Sequence, residues 1–579
     1  MKSFKKGMDI SFLPELEDKG IKIKDFNGEE IDGFELVKKY GVNAIRLRIW
    51  NNPENVEESK GYCNLADTIK MGKRIKEHQM SFMLNFHYSD YWADPGKQRK
   101  PKAWEKLSFL ELKEAVFNFT RDTLLALKEE GVLPEIVQIG NEIRSGLLFP
   151  DGELPDYKGM VELVNAGIQG ARSVADSTTM QIMIHLDQGG RYFYIKEWFD
   201  KAFESGLEDF DLIGLSYYPF WHGTFTDLKD TLNKLVFDYQ KPIMIVETAH
   251  AWRKSAHGFI DESQEKIAGV SATPEGQKKV LDLVMNITAS LPDQMGCGVY
   301  YWEPLCVPQA GEGGWSENMG LLDENGQVME GIHAFEFTRE KLRSKELAKV
   351  YEPPFIQIQE GKEPVLPEQL SLLYYDGSLE KKPVIWQEEL PKWVKGTYSI
   401  QGRIEGVKEP VSCKIQVINE IAARKNLLLD SNWDDGLTQW DVKKSEDLVV
   451  AQIYPEFEDP FPAPPINGIR VESPKNFTFS ISQQVNITKE DYYNLQVEYK
   501  GTDTTDVEIC LFIKTSEETS ETMIHPTEYE WEKYEVRNVL CKPGKITVGI
   551  KITSPPIYGL MRKFQLFPHI KNNENGVII

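Results

Sequence analysis

No stretch of this sequence holds the roughly 18 consecutive apolar residues that a membrane-crossing helix requires. Positive charge is in short supply: 67 lysines and arginines face 90 aspartates and glutamates, a net charge of −23 spread along the chain. Such a surface repels nucleic acid, anionic lipid and polyanions at long range. A neutral partner is therefore expected, with no nucleic-acid and no membrane partner. Cysteine is scarce, six residues in 579. Cys63, Cys297, Cys306, Cys413, Cys510 and Cys541 lack metal-ligand spacing and read as reduced, buried thiols. The opening residues MKSFKKGMDISFL carry basic side chains but neither the apolar segment nor the small-residue cleavage site of an export signal. A cytoplasmic, monomeric protein is the expectation; the alternative is secretion, with the leader outside this sequence.

What is present is patterned. Hydrophobic residues make up 41% of the chain, ample for several cores. Eight apolar, β-branched runs lie between residues 6 and 304: KGMDIS, AIRLRIW, SFMLNFHY, EIVQIGNE, QIMIHLD, LIGLSYY, IMIVETA and GCGVYYWEP. Their starts are about 30 to 55 residues apart, room for a helix and a loop each time. In NLADTIKMGKRIKEH, Leu65, Ile69, Gly72 and Ile75 recur at helical spacing behind a candidate N-cap, Asn64. This alternation predicts a (β/α)8 TIM barrel over 1–345. A doubly wound open sheet is the runner-up, but MDISFLPELED lacks the glycines of a nucleotide-binding turn. Beyond a proline-rich connection the texture turns to short strands. Residues 346–424 read as a linker and a small immunoglobulin-like sandwich, and 425–570 as a jelly-roll-like sandwich. In the latter Phe477/Phe479/Ile481, Leu495/Val497/Tyr499 and Ile546/Val548/Ile550/Ile552 alternate with polar residues. Residues 571–579 read as a tail.

Two of the apolar runs end on carboxylates, EIVQIGNE at Glu142 and PIMIVETAH at Glu247. The C-terminal ends of barrel strands are where this fold places its chemistry, and paired carboxylates are what cleaving a glycosidic bond requires. Other strand ends carry polar or aromatic groups as well: Arg46 and Arg48, then His87, Asp90 and Trp92, then His185, then Tyr217, Tyr218 and Trp221, then Trp302. A neighbouring arginine such as Arg46 would keep one carboxylate ionised, while burial beside it would hold the proton on the other. Asn141 can offer an amide to a sugar hydroxyl, and the aromatic rings can serve as platforms for the C–H faces of pyranoses. The alternative for both glutamates is a buried ion pair with Arg46 or Arg48.

Seven segments in order, KGMDIS, GVNAIRLRIWNNP, NFHYSDYWADPGKQRKPKAW, QIGNEI, DLIGLSYYPFWHGT, IVETAH and YYWEP, make the first 340 or so residues resemble glycoside hydrolase family 53, the endo-β-1,4-galactanases. HYSDYWADPGKQ is the most specific of them. The resemblance implies Glu142 as acid/base and Glu247 as nucleophile of a retaining double displacement, supported by Asn141, Arg46, His185 and one of Tyr217 or Tyr218. His87, Asp90, Trp92, Trp221 and Trp302 are then candidate substrate contacts, and the substrate is the neutral β-1,4-galactan of type I arabinogalactan and pectin. A related β-glycanase and a non-catalytic carbohydrate-binding protein are the competing readings. No cofactor is required. Some bacterial members carry calcium in the loop after the seventh strand; here that loop offers His257, Asp261 and Glu262 without a closely spaced acidic series, so calcium is not expected. Residues 355–420 resemble bacterial immunoglobulin-like modules. NLLLDSNWDDGLTQWDV opens a region similar to jelly-roll carbohydrate-binding modules, with Trp433, Trp440, Tyr454 and Trp531 as candidate ring platforms.

Overall fold

Eight parallel strands close into a barrel in the computed structural model: Lys5–Asp9 (β1), Ala44–Ile49 (β2), Ser81–Phe86 (β3), Ile136–Ile139 (β4), Gln181–Leu186 (β5), Leu212–Ser216 (β6), Ile243–Thr248 (β7) and Gly296–Trp302 (β8). Each falls on one of the eight apolar runs. The structure describes residues 4–568 apart from 256–257, 259–264, 266–267, 309–313, 354–355, 388–389, 419–425, 432, 434–436, 446–449, 457–465, 474–475, 502–506, 526–530 and 555–556. The candidate calcium residues His257, Asp261 and Glu262 lie outside the described set.

Strands covered on both faces must be apolar on both, and β2, β3 and β7 are buried at every position. Inside the barrel, Ala44, Met83, Ile136, Met183, Leu212, Met244, Val246 and Tyr300 form an apolar floor. Gly7 on β1 makes room for it, because a Cβ there would overlap the Tyr300 ring. The helix read from NLADTIKMGKRIKEH spans Leu65–Glu77, and the Asn64 side chain caps it by accepting from the Asp67 amide. Its buried stripe is Thr68, Met71, Gly72 and Ile75. Leu65 and Ile69 are only partly buried. Gly72 sets the rotation, since it brings the helix backbone against Val132 and Phe82.

The compact unit that holds the barrel runs to Tyr351 and takes in Ser371–Lys382. There Leu347–Val350 pairs antiparallel with residues 372–374, drawn from the stretch read as all sandwich. The second unit covers 352–370 and 383–579. In its first part Gly396–Ile404 pairs antiparallel with Val411–Ile418, and Ile356–Gln359 lies parallel to the latter. Trp393, Ile400, Cys413, Ile415 and Val417 form the core there. The C-terminal part is two five-stranded sheets around one apolar core. Every residue named above from its period-two runs lies in that core. Trp433 and Trp440 are core residues as well, packed on Phe564, so neither is a ring platform. Trp531 is half-buried, with Arg562 and Lys500 at 4.1 and 4.8 Å from its ring, while the Tyr454 side chain lies outside the described set. Cys63, Cys306, Cys413 and Cys541 are buried as expected, whereas Cys297 and Cys510 are only partly buried.

Candidate active site

Strand alternation builds the site directly above the apolar floor. Side chains at every second position share the barrel interior, so two residues beyond Gly7, Ala44, Met83, Ile136 and Met183 stand Asp9, Arg46, Asn85, Gln138 and His185. All five are fully or almost fully buried. Their charges and amides answer one another. Arg46 donates to Asp9 at 2.9 Å, to Asn141 Oδ1 at 3.0 Å and to Gln138 Oε1 at 3.2 and 3.3 Å. Such a layer is tolerable only because its polar atoms find partners.

Glu247 reaches this layer through an irregularity. Counting from Met244 and Val246, strict alternation would turn Glu247 out of the barrel. Between Ile245 and Thr248, β7 carries one more residue than β8, and the β6–β7 register slips at the same place, pairing Ser216 with Glu247. A bulge of this kind re-aims a side chain. Here it turns Glu247 inward, where Arg46 Nη2 stands 3.0 Å from one carboxylate oxygen and the Tyr218 hydroxyl donates to the other at 3.3 Å.

Glu142 arrives by a different device. β4 ends at Ile139, and the chain then turns through Gly140 at φ +78° and Glu142 at φ +48°, ψ +51°. Left-handed backbone at a non-glycine residue costs about 1–3 kcal/mol and persists where a site needs it. Tyr88 and Glu303, past the ends of β3 and β8, are left-handed too. Glu142 projects into the mouth, where Ser216 Oγ donates to its Oε1 at 2.5 Å.

The environments of the two glutamates separate their proton affinities. Burial pushes Glu142 well above the usual carboxylate range, and the negative charges of Glu247, Asp187 and Asp94 add to it against the Ser216 hydrogen bond. Burial also raises Glu247, but the Arg46 guanidinium opposes it, as does the Tyr218 hydroxyl. Among the described residues no cation pairs with Glu142. These surroundings favour the proton on Glu142 and the charge on Glu247. The ion-pair alternative applies to Glu247 alone, and a structural pair would not require a bulge beside a left-handed acid.

With this geometry in view, comparison with known proteins decides the family: the profile of glycosyl hydrolase family 53 matches residues 5–335, more than half of the chain. The chain belongs to glycosyl hydrolase family 53. A bacterial Ig-like domain (group 4) matches 352–407. A Niallia circulans protein described only by its place in the bgaB 5′ region is 42% identical over 57% of this chain and 92% of its own length. The arabinogalactan endo-β-1,4-galactanase A of Emericella nidulans is 37% identical over 57% of this chain and 93% of its own. Among solved structures, the Ignisphaera aggregans GH53 catalytic domain matches with a TM-score of 0.54 at 35% identity, covering 57% of this chain and 95% of that one.

This family 53 hydrolase brings most of the expected residues together. Tyr218 contacts Glu247, whereas Tyr217, one step off in the alternation, turns away and donates to the Gly223 carbonyl at 3.0 Å. Asp90 braces loops: its oxygens accept from the Asn52 and Lys102 amides and from Asn55 Nδ2. His87 sits inside, neutral because burial and the charges of Arg48 and Arg46 push its proton affinity well down, and its Nδ1 accepts from the Ala93 amide. Asn141 Nδ2 donates to the Ala93 carbonyl at 2.8 Å, which uses one of its two hydrogens.

Aromatic rings edge the mouth in a run of close contacts. Trp92 meets Trp302 at 5.6 Å between centroids, Trp302 meets Trp315 at 4.4 Å, Trp315 meets Tyr218 at 6.0 Å and Tyr218 meets Trp221 at 5.5 Å. Trp92 is held from below by Arg48, whose guanidinium lies 4.2 Å from it and 4.4 Å from Phe12 while pairing with Glu303. Burial lifts Glu303 to about 8 against the pull of Arg48. Sequence reading missed Asp9, Asn85, Gln138, Ser216, Trp315 and Phe12. The first three had a signal: polar side chains interrupting apolar runs at inward parity.

Proposed function

We propose that this chain hydrolyses β-1,4-galactosidic linkages in the interior of galactan, the neutral side chain of type I arabinogalactan and pectin, with retention of anomeric configuration. The observation that carries this reading is the unequal surroundings of the two glutamates: Arg46 and Tyr218 hold Glu247, while Glu142 lies among negative charges with a neutral hydroxyl as its partner. Glu142 gives its proton to the glycosidic oxygen as Glu247 attacks the anomeric carbon. The C–O bond breaks, the aglycone departs as an alcohol, and a glycosyl ester forms on Glu247. Water then attacks that carbon while Glu142, now a carboxylate, takes its proton. Ester cleavage returns Glu247 to its starting state, and two inversions sum to retention. Arg46 and Tyr218 hold Glu247 in line and stabilise it as it leaves the ester. The two carboxyl groups would stand roughly 5 to 5.5 Å apart for this path. No cofactor enters any step.

Three things support the substrate. Family 53 relatives are named for arabinogalactan. The net charge of −23 suits a neutral polymer. The aromatic rim offers flat apolar surfaces to the C–H faces of sugars. Product analysis tests it: potato-type galactan should yield galacto-oligosaccharides of mixed length early in digestion, at a rate well above that on other neutral β-glycans. Faster release from a different glycan would replace galactan in this reading.

The C-terminal sandwich is proposed to keep galactan near the barrel. Trp531 beside Arg562 and Lys500, with the Gln496–Gln565 pair on the same sheet, supports it as a polar face with one aromatic ring. In an affinity gel containing galactan, the full chain carrying Glu142→Gln should be retarded, and adding Trp531→Ala should weaken that retardation. Equal retardation of the two variants would remove Trp531 from that role.

A further inference from the structure

We propose that Ser216 is a positioning residue for the acid/base carboxyl, its hydroxyl aimed at Glu142 by a one-way hydrogen-bond chain that starts at Arg46 and runs through Gln138 and His185. The proposal rests on the reading of Glu142 as acid/base. Its direction follows from donor chemistry alone. A guanidinium has no acceptor, so Gln138 must turn Oε1 toward Arg46, at 3.2 and 3.3 Å. That turns Gln138 Nε2 toward Asn85 Oδ1 at 2.7 Å, His185 Nδ1 at 2.9 Å, the Gly140 carbonyl at 3.0 Å and Asn141 Oδ1 at 3.3 Å, so no acceptor is left on the side of Gln138 that faces Nδ1. The Glu142 amide also points at Nδ1, at 3.4 Å. Nδ1 therefore accepts. Asn141 Oδ1, 3.2 Å from it, is itself an acceptor from Arg46 and Asn85.

His185 is wholly buried, and Arg46, His87 and His222 surround it, so it stays neutral and carries its one proton on Nε2. That N–H faces Ser216 Oγ at 2.9 Å. With its oxygen lone pair engaged by His185, the Ser216 hydroxyl has its hydrogen free for Glu142 Oε1 at 2.5 Å. Arg46 thus serves both carboxylates: Glu247 directly, and Glu142 through three neutral groups. A direct cation would strip Glu142 of its proton. A relayed dipole favours the carboxylate only modestly, which suits a group that must hold a proton in one half-reaction and accept one in the next.

The other ionisable groups facing Glu142 push the opposite way. They include Glu247 on β7, Asp187 past β5, itself tied to Arg144 at 2.9 Å, and Asp94 in the loop after β3, with the buried, neutral Tyr218 phenol beside the pair. Ser216 is the counterweight. Ser216→Ala removes the donor, so Glu142 holds its proton to higher pH. The high-pH limb of kcat/KM on galactan should move up by about one unit. With a dinitrophenyl β-galactobioside, whose leaving group needs no acid, kcat should fall several-fold and recover as pH is raised, because deprotonated Glu142 is then the limiting base. Ser216→Thr, which keeps the hydroxyl, should restore both limbs.

An unmoved profile in Ser216→Ala, or a shift as large in Ser216→Thr, would overturn the proposal. The wild-type chain, labelled with 15N in its histidine rings, gives a second test that no variant can spoil. His185 should carry its proton on Nε2, and a proton on Nδ1 would reverse the chain and defeat it. Failure of the parent reading looks different: the high-pH limb would survive in Glu142→Ala itself.

Discussion

Replacing Glu142 with glutamine should lower kcat/KM on galactan by about 10³-fold, within the range that positioned proton transfer contributes. Gln keeps the shape and can still meet Ser216 Oγ, so thermal unfolding should change little. The loss is chemical. A galactan leaving group is an alcohol, too basic to depart without a proton, and Glu142 is the group whose burial and like-charged neighbours keep a proton available. The pH profile carries a second mark of the same role. Wild-type kcat/KM should fall at high pH as Glu142 ionises, and Glu142→Ala should flatten that limb. Activity within tenfold of wild type in Glu142→Gln would remove Glu142 from the chemistry and leave its left-handed backbone without a purpose.

Glu247→Ala should be more damaging still, on the order of 10⁴-fold or more, because in the proposed double displacement it deletes the nucleophile of the covalent intermediate. The barrel should tolerate the change poorly but survive it. Arg46 loses one partner and keeps Asp9, Gln138 and Asn141. Azide supplies the decisive measurement. In Glu247→Ala it fits where the carboxylate stood and attacks an activated β-galactoside from that face, so the product should be the α-galactosyl azide, inverted. In Glu142→Ala, azide instead replaces water at the glycosyl ester and the product should be the β-azide. The anomeric configuration of the azide therefore assigns the two roles separately. A β-azide from Glu247→Ala would exchange them, and no rescue in either variant would count against a covalent path.

Much of this was legible before folding, for physical reasons. A parallel strand buried on both faces must be apolar on both, so eight such runs announce themselves, and all eight are barrel strands. Chemistry at the C-terminal ends of barrel strands is a property of the fold, which is why Arg46, Asn141, Glu142, His185 and Glu247 could be named from their places in those runs. Asp90 sits in the most distinctive segment, HYSDYWADPGKQ, and the loop bracing it performs there could not be read from the pattern. Tyr218 could have been chosen over Tyr217 by carrying inward parity forward from Gly214 and Ser216.

Other features depended on relations between segments. Ser216 is an unremarkable serine until β6 pairs with β7 and places its hydroxyl between His185 and Glu142. Gln138 acquires a direction only when Arg46, from another strand, forces its carbonyl to turn. The sequence by itself determined the eight strands, the two carboxylates at strand ends, most of the aromatic rim though not Trp315, and the period-two core of the C-terminal sandwich, because local periodicity records which face of an element is buried. Only the tertiary structure decided that Glu247 points inward. Alternation along IMIVET turns it out, and the one extra residue in β7 that reverses this exists only relative to the registers of β6 and β8. Register is a relation between strands, and no single strand's residues contain it.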